Sequence, residues 1–161
     1  MRNTKNSTKI FSNYKNGETF LVEEASEMAG WPMPTQGSFC WTEIASNDAD
    51  KCTAFYNAVF GWQFKGGGDS DTGMDYREFT TGGENPVGGL YQINPAWFGD
   101  NPPPPHFMTY VAVDDVDENA KLAVELGASI IRGPMDIPNV GRMAIIQDPT
   151  GAMVSTFRMK N

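Results

Sequence analysis

Residues 38–62 read SFCWTEIASNDADKCTAFYNAVFGW, and residues 107–127 read FMTYVAVDDVDENAKLAVELG. Each opens on a run of strand formers, passes through a short polar stop built on aspartate, continues as a helical pattern and ends on glycine. In the first stretch Ser38 to Ala45 is the strand, and Ser46-Asn47-Asp48 is the cluster that caps a helix. Cys52, Phe55, Tyr56, Val59 and Phe60 then fall at offsets 0, 3, 4, 7 and 8, which places all five on one helix face and predicts core. Gly61 supplies the left-handed residue that stops the helix. In the second stretch Phe107 to Val113 is the strand, and Asp114-Asp115 stands where Asn47-Asp48 stood. Val116, Ala120, Ala123 and Val124 lead to Gly127. Asp48 to Gly61 and Asp114 to Gly127 are both 13 positions, an internal repeat of about 66 residues.

Working outward, each helix is followed by three more strands. Trp62 to Phe64, Met74 to Thr80 and Val87 to Ile93 follow the first, with glycine-dense loops between them. Ser129 to Arg132, Arg142 to Gln147 and Ala152 to Arg158 follow the second, the last two joined by Asp148-Pro149-Thr150-Gly151, a tight-turn sequence. Asn94 to Pro105, with Trp97, Phe98 and four consecutive prolines, reads as a stiff connector between the halves. Its two large apolar residues suit a cover for a cleft or a dimer seam. Gly66-Gly67-Gly68 lacks the Lys-Ser/Thr and helix start of a phosphate loop and reads as a hairpin loop. Residues 1–36 form an N-terminal extension, polar and then acidic, with a short strand at Phe20 to Val22, and residues 37–161 form the domain.

Composition excludes several functions. The 161 residues carry 12 Lys+Arg against 20 Asp+Glu, a formal charge of −8, which argues against a phosphate-backbone partner. No apolar run approaches the roughly 20 residues that span a bilayer, so no membrane partner is expected. Cys40 and Cys52 are the two cysteines, too few for a disulfide framework, and the N-terminus has no apolar signal stretch, so a reducing cytoplasm is the expected compartment. His106 is the single histidine, which rules out a His-rich metal site. Asp114, Asp115, Asp117 and Glu118 lack the spacing and glycine of a calcium loop and match the acids of a first helical turn.

The strings Phe39-Cys40-Trp41-Thr42-Glu43-Ile44, Asp48, Ala54-Phe55-Tyr56 and Val59-Phe60-Gly61-Trp62 resemble the first module of the glyoxalase/bleomycin-resistance/dioxygenase (vicinal oxygen chelate) superfamily. Tyr110 to Val116 and Gln147-Asp148-Pro149-Thr150-Gly151 resemble its second. The likeness runs from about Gly37 to Arg158 and leans toward the branch related to lactoylglutathione lyase. It implies an α+β fold of two βαβββ modules, about 37–94 and 106–159, forming an open, barrel-like cleft. In metal-dependent members, two His and two acidic residues from four strands hold a divalent cation there. The resemblance places those positions at Trp41, at Met108 (Phe107 if the register slips by one), at Ser155, and on the strand Val87 to Ile93, whose residues are Val, Gly, Gly, Leu, Tyr, Gln and Ile. These side chains are poor ligands for such a cation, so no metal and no cofactor are expected.

Strand alternation puts Trp41, Glu43 and Ala45 on one face and Met108, Tyr110 and Ala112 on the matching face of the second module. Glu43 beside Trp41 and Met108 is partly desolvated, which raises its pKa and suits a general base or a ligand anchor. The alternative is a structural pairing of Glu43 with Arg142 or a backbone amide. His106 sits at the mouth of its strand, two residues before Met108, as a rim or loop residue. Three functions compete. The first is a metal-independent module binding a small organic ligand through Trp41, Glu43, Tyr91, Met108, Tyr110 and Ser155, with the −8 charge favouring a cation. The second is a lyase or isomerase using Glu43 as base with Tyr110 or His106. The third is an assembly role for residues 1–36. The resemblance makes a homodimer an expectation, with no residue naming its surface.

Overall fold

A computed structural model describes residues 14–15, 18–19, 34–66, 74–97 and 102–160. The strand expected at Phe20 to Val22, most of the extension, the loop after Gly66 and Phe98 lie outside the described residues. By contacts the chain divides into Met1–Pro32 and Met33–Asn161. In the first unit, β1 (Tyr14–Lys15) pairs antiparallel with β2 (Glu18–Thr19).

The second unit holds β3 (Phe39–Ser46), α1 (Ala49–Phe60), β4 (Gln63–Gly66), β5 (Tyr76–Thr80) and β6 (Gly88–Gln92). The same order returns as β7 (His106–Ala112), α2 (Val116–Glu125), β8 (Ser129–Ile137), β9 (Gly141–Gln147) and β10 (Met153–Met159). The expected βαβββ repeat is thus present twice, in one eight-stranded mixed sheet ordered β4-β5-β6-β3-β7-β10-β9-β8. Its two edges do not meet. β3 and β7 are antiparallel at the centre, with Trp41 opposite Tyr110 and Glu43 opposite Met108. Each central strand has a parallel neighbour from its own module, β6 for β3 and β10 for β7.

The caps settle the register of the repeat. Asp48 accepts from the Lys51 N–H at 2.9 Å at the start of α1. Asp115, not Asp114, does the same for α2, accepting from the Asp117 and Glu118 N–H groups at 2.9 and 3.0 Å. The repeat is therefore offset by 67 at the helix starts, one more than the glycine count suggests. α2 ends earlier, at Glu125, whereas α1 runs to Phe60 and stops on Gly61 at φ +72°. With this offset Trp41 corresponds to Met108, and Phe107 is excluded: its ring points to the helix side of the sheet, edge-on to Tyr56. The Asp148 carboxylate accepts from the Thr150 and Ala152 backbone N–H groups and the Thr150 hydroxyl, closing the turn expected there.

Both helices lie on one face of the sheet. Ala49 of α1 packs on Ile44, Phe79 and Leu90, with Trp62 stacked on Phe79 at 4.6 Å. Val116 and Ala120 of α2 pack on Val113 and Ala144. The five-residue apolar face expected for α1 is corrected here. Cys52 and Tyr56 pack inward beside Ala49, but Phe55, Val59 and Phe60 remain 56%, 53% and 58% exposed. The sheet beneath α1 accommodates the stripe Ala49, Cys52 and Tyr56, and the flanking positions hang beyond it. The connector also departs from expectation: Pro95–Trp97 forms a 3-10 turn, with the Asn94 carbonyl oxygen Oδ1 accepting from the Ala96 N–H.

Candidate functional site

The opposite face of the sheet lines the cleft. Alternation along β3 turns Trp41, Glu43 and Ala45 toward it, and the β7 register adds His106, Met108 and Tyr110. From β6 come Gly89 and Tyr91, from β5 Tyr76 and Glu78, from β9 Met143 and Ile145, and from β10 Ser155 and Phe157. All six residues singled out from the sequence, Trp41, Glu43, Tyr91, Met108, Tyr110 and Ser155, therefore share one face.

At its centre is a chain of hydrogen bonds. The Trp41 indole N–H donates to the Tyr76 hydroxyl at 3.1 Å. The Tyr76 hydroxyl donates to Glu43 Oε1 at 3.0 Å, and the Tyr110 hydroxyl donates to Glu43 Oε2 at 2.6 Å. Burial pushes the Glu43 carboxyl above its ordinary pKa, opposed by these two phenols and by the charge of His106. Burial and the neighbouring carboxylate push both phenols well above the usual tyrosine range, so they stay protonated and serve as donors. Tyr91 is raised too, by burial first and then by Glu43, with Arg132 opposing.

Tyr76 reaches Glu43 because of a glycine. Gly89 lies between β5 and β3, opposite both Glu78 and Glu43. A Cβ there would collide with the Tyr76 ring and hydroxyl, so only glycine lets the phenol cross β6. The pattern from Met74 to Thr80 predicts a strand and does not distinguish Tyr76 within it. The signal was present in the Gly88-Gly89 pair, which marks a close approach on a neighbouring strand.

The pairing of Glu43 with Arg142 does not form. Arg142 lies on the helix side, donating to Asp117 at 2.6 and 2.8 Å and to Asp136 at 2.9 Å. His106 opens β7, and its ring Nδ1 is 2.8 Å from the Pro104 carbonyl oxygen, which can only accept, so Nδ1–H donates there. Ser155 is fully buried, its hydroxyl donating to the Ala144 carbonyl at 3.1 Å.

A sequence model of the Glyoxalase/Bleomycin resistance protein/Dioxygenase superfamily matches residues 38–156. The chain belongs to this superfamily. CFP32 of Mycobacterium tuberculosis, which carries the name of a glyoxylase, is 35% identical over 126 residues, 76% of this chain and 44% of CFP32. The anthracycline biosynthesis protein DnrV of Streptomyces peucetius is 29% identical over 130 residues, 76% of this chain and 47% of DnrV. The chain thus spans less than half the length of these curated relatives. Methylmalonyl-CoA epimerase from Mycobacterium tuberculosis has the same fold, with a TM-score of 0.54 at 14% identity, over 81% of this chain and 94% of that one.

The superfamily's cation can be tested against the donors present. The offset of 67 makes Trp41 equivalent to Met108 and Glu43 to Tyr110. Glu43 pairs with Gly89 as Tyr110 pairs with Ser155, so Gly89 is the position on β6 that corresponds to Ser155. Tyr91 lies two residues farther along the same face. The four positions therefore carry an indole, a thioether, a hydroxyl bonded to backbone and no side chain at all. This set does not fit a hard or borderline divalent cation. Tyr76 fills the space above Gly89, and Glu43 stands beside it.

Proposed function

We propose that this chain binds a small organic molecule in its aromatic-lined cleft without the divalent cation of the metal-dependent members of its superfamily. The Glu43 carboxylate clamped between the Tyr76 and Tyr110 phenols carries this reading. A carboxylate already oriented by two donors loses little freedom when a ligand arrives, and the rings of Trp41, Tyr76 and Tyr91 supply apolar contact. The test is elemental analysis of the purified full chain, followed by thermal shifts with a small-molecule panel and with nickel, zinc, manganese and iron salts. The reading expects an organic ligand that raises Tm, a shift lost in Glu43→Gln, and no stoichiometric metal. A tightly held equivalent of metal on which ligand binding depends overturns it.

The raised pKa of Glu43 favours a second reading, a lyase or isomerase related to lactoylglutathione lyase in which Glu43 removes a substrate proton. The glyoxylase name of CFP32 points the same way. Here Tyr76 and Tyr110 hold the carboxylate while one of its free lone pairs takes the proton. Glu43→Gln then abolishes turnover of an identified substrate with the fold intact. Full turnover by that variant excludes Glu43 as the base.

A further inference from the structure

Resting on the binding function proposed above, we infer that the cleft selects an organic ammonium ion bearing N–H donors, seated against Glu43 and the surrounding rings. The inference follows from where the donors of this face point. The Trp41 indole has one N–H, and it goes to Tyr76. Tyr76 and Tyr110 each have one hydroxyl proton, and both go to Glu43. The Ser155 hydroxyl goes to the Ala144 carbonyl, and the His106 Nδ1–H goes to the Pro104 carbonyl. Five neighbouring donors are thus committed within the protein. What the cluster offers a ligand is carboxylate and phenol lone pairs, the negative charge of Glu43 with Glu78 on the same face, and the negative faces of aromatic rings.

A ligand that brings acceptors to Glu43 finds none of these five donors open to it, the Tyr91 hydroxyl being the neighbouring donor on that face, and one that brings an anion meets Glu43 directly. A ligand that brings a charged donor is matched on every count. Trp41, Glu43, Tyr76 and Tyr91 are each intermediate in burial, between the core and the open face of the sheet. Arg132 gives the cleft a direction. It stands opposite Ile145, on the same face of the sheet, and its charge is felt at Tyr91. The ammonium end therefore lies at Glu43, away from Arg132.

The test uses four probes of similar size on the full chain, by calorimetry and by the Trp41 indole N–H resonance: benzylammonium, benzyltrimethylammonium, benzyl alcohol and phenylacetate. Benzylammonium is expected to bind about tenfold or more tighter than benzyl alcohol, and to lose about tenfold in Glu43→Gln. Benzyltrimethylammonium, which keeps the charge but has no N–H, falls between the two, and phenylacetate is the weakest. Benzyl alcohol or phenylacetate binding as tightly as benzylammonium at the Trp41 resonance overturns the ammonium preference and leaves the binding function standing. So does an unchanged benzylammonium affinity in a folded Glu43→Gln protein. Failure of all four probes to bind overturns the preference and counts against the binding function as well.

Discussion

Tyr110→Phe removes one oxygen atom from the centre of the cleft and leaves the ring. Tyr110 is buried, packs edge-on to Phe157 at 6.2 Å, and donates to Glu43 Oε2 at 2.6 Å. Phenylalanine keeps the ring contact, so the cost reports the hydrogen bond. A short bond to a partly buried carboxylate is worth about 1.5–3 kcal/mol, and about 2 kcal/mol is expected at pH 7.5. The sign of the pH dependence follows from Glu43. Burial raises its pKa above the ordinary 4.5 and the Tyr110 bond lowers it, so the variant's Glu43 titrates higher still. Protonation of Glu43 removes the charged acceptor. The penalty is therefore largest above the folded pKa of Glu43 and shrinks as pH falls through that range toward 4.5. Urea unfolding of both proteins from pH 4.5 to 7.5 measures this difference at each pH. A penalty under about 0.5 kcal/mol at pH 7.5, or one that grows on acidification, refutes the placement of an ionised Glu43 under Tyr110.

Other outcomes follow from particular contacts. Gly89→Ala drives a methyl group into Tyr76 and is expected to cost about 1–3 kcal/mol in urea unfolding, with a moved Trp41 indole N–H signal because its acceptor shifts. Asp115→Ala removes the cap of α2 and should cost about 1 kcal/mol, with Asp114→Ala nearly neutral by comparison, since Asp115 alone holds the helix N–H groups. Asp50→Ala breaks an ion pair between Arg77 and an aspartate that is 87% exposed, and is expected to change stability by under about 1 kcal/mol. Phe79→Ala empties a fully buried position stacked on Trp62 and should cost about 3–5 kcal/mol by thermal or urea unfolding.

The sequence made the repeat and the shared face legible because both rest on local periodicity. Asp48 and Asp115 announce their helices, and period-two alternation alone sends Trp41, Glu43, Met108 and Tyr110 to one side of the sheet. Burial of α1 was harder to read, because periodicity identifies an apolar face and not the width of the sheet beneath it. Phe55, Val59 and Phe60 obey the pattern and still stand in solvent. The Glu43 cluster needed three strands at once. Tyr76 is 33 residues from Glu43 and reaches it only over Gly89, a relation set by the register of β5 and β6. Arg142 matched the charge of Glu43 in the sequence, but it lies in the α2-facing phase of its strand, where Asp117 and Asp136 meet it.

A high-resolution crystal structure of the full chain, purified without added metal or chelator, tests the central claim most directly. The account predicts both phenol oxygens on the Glu43 carboxylate, about 3.0 Å from Tyr76 and 2.6 Å from Tyr110, with the Tyr76 ring lying over Gly89. A divalent ion bound by Glu43, with Tyr76 turned out of the cleft, would contradict it.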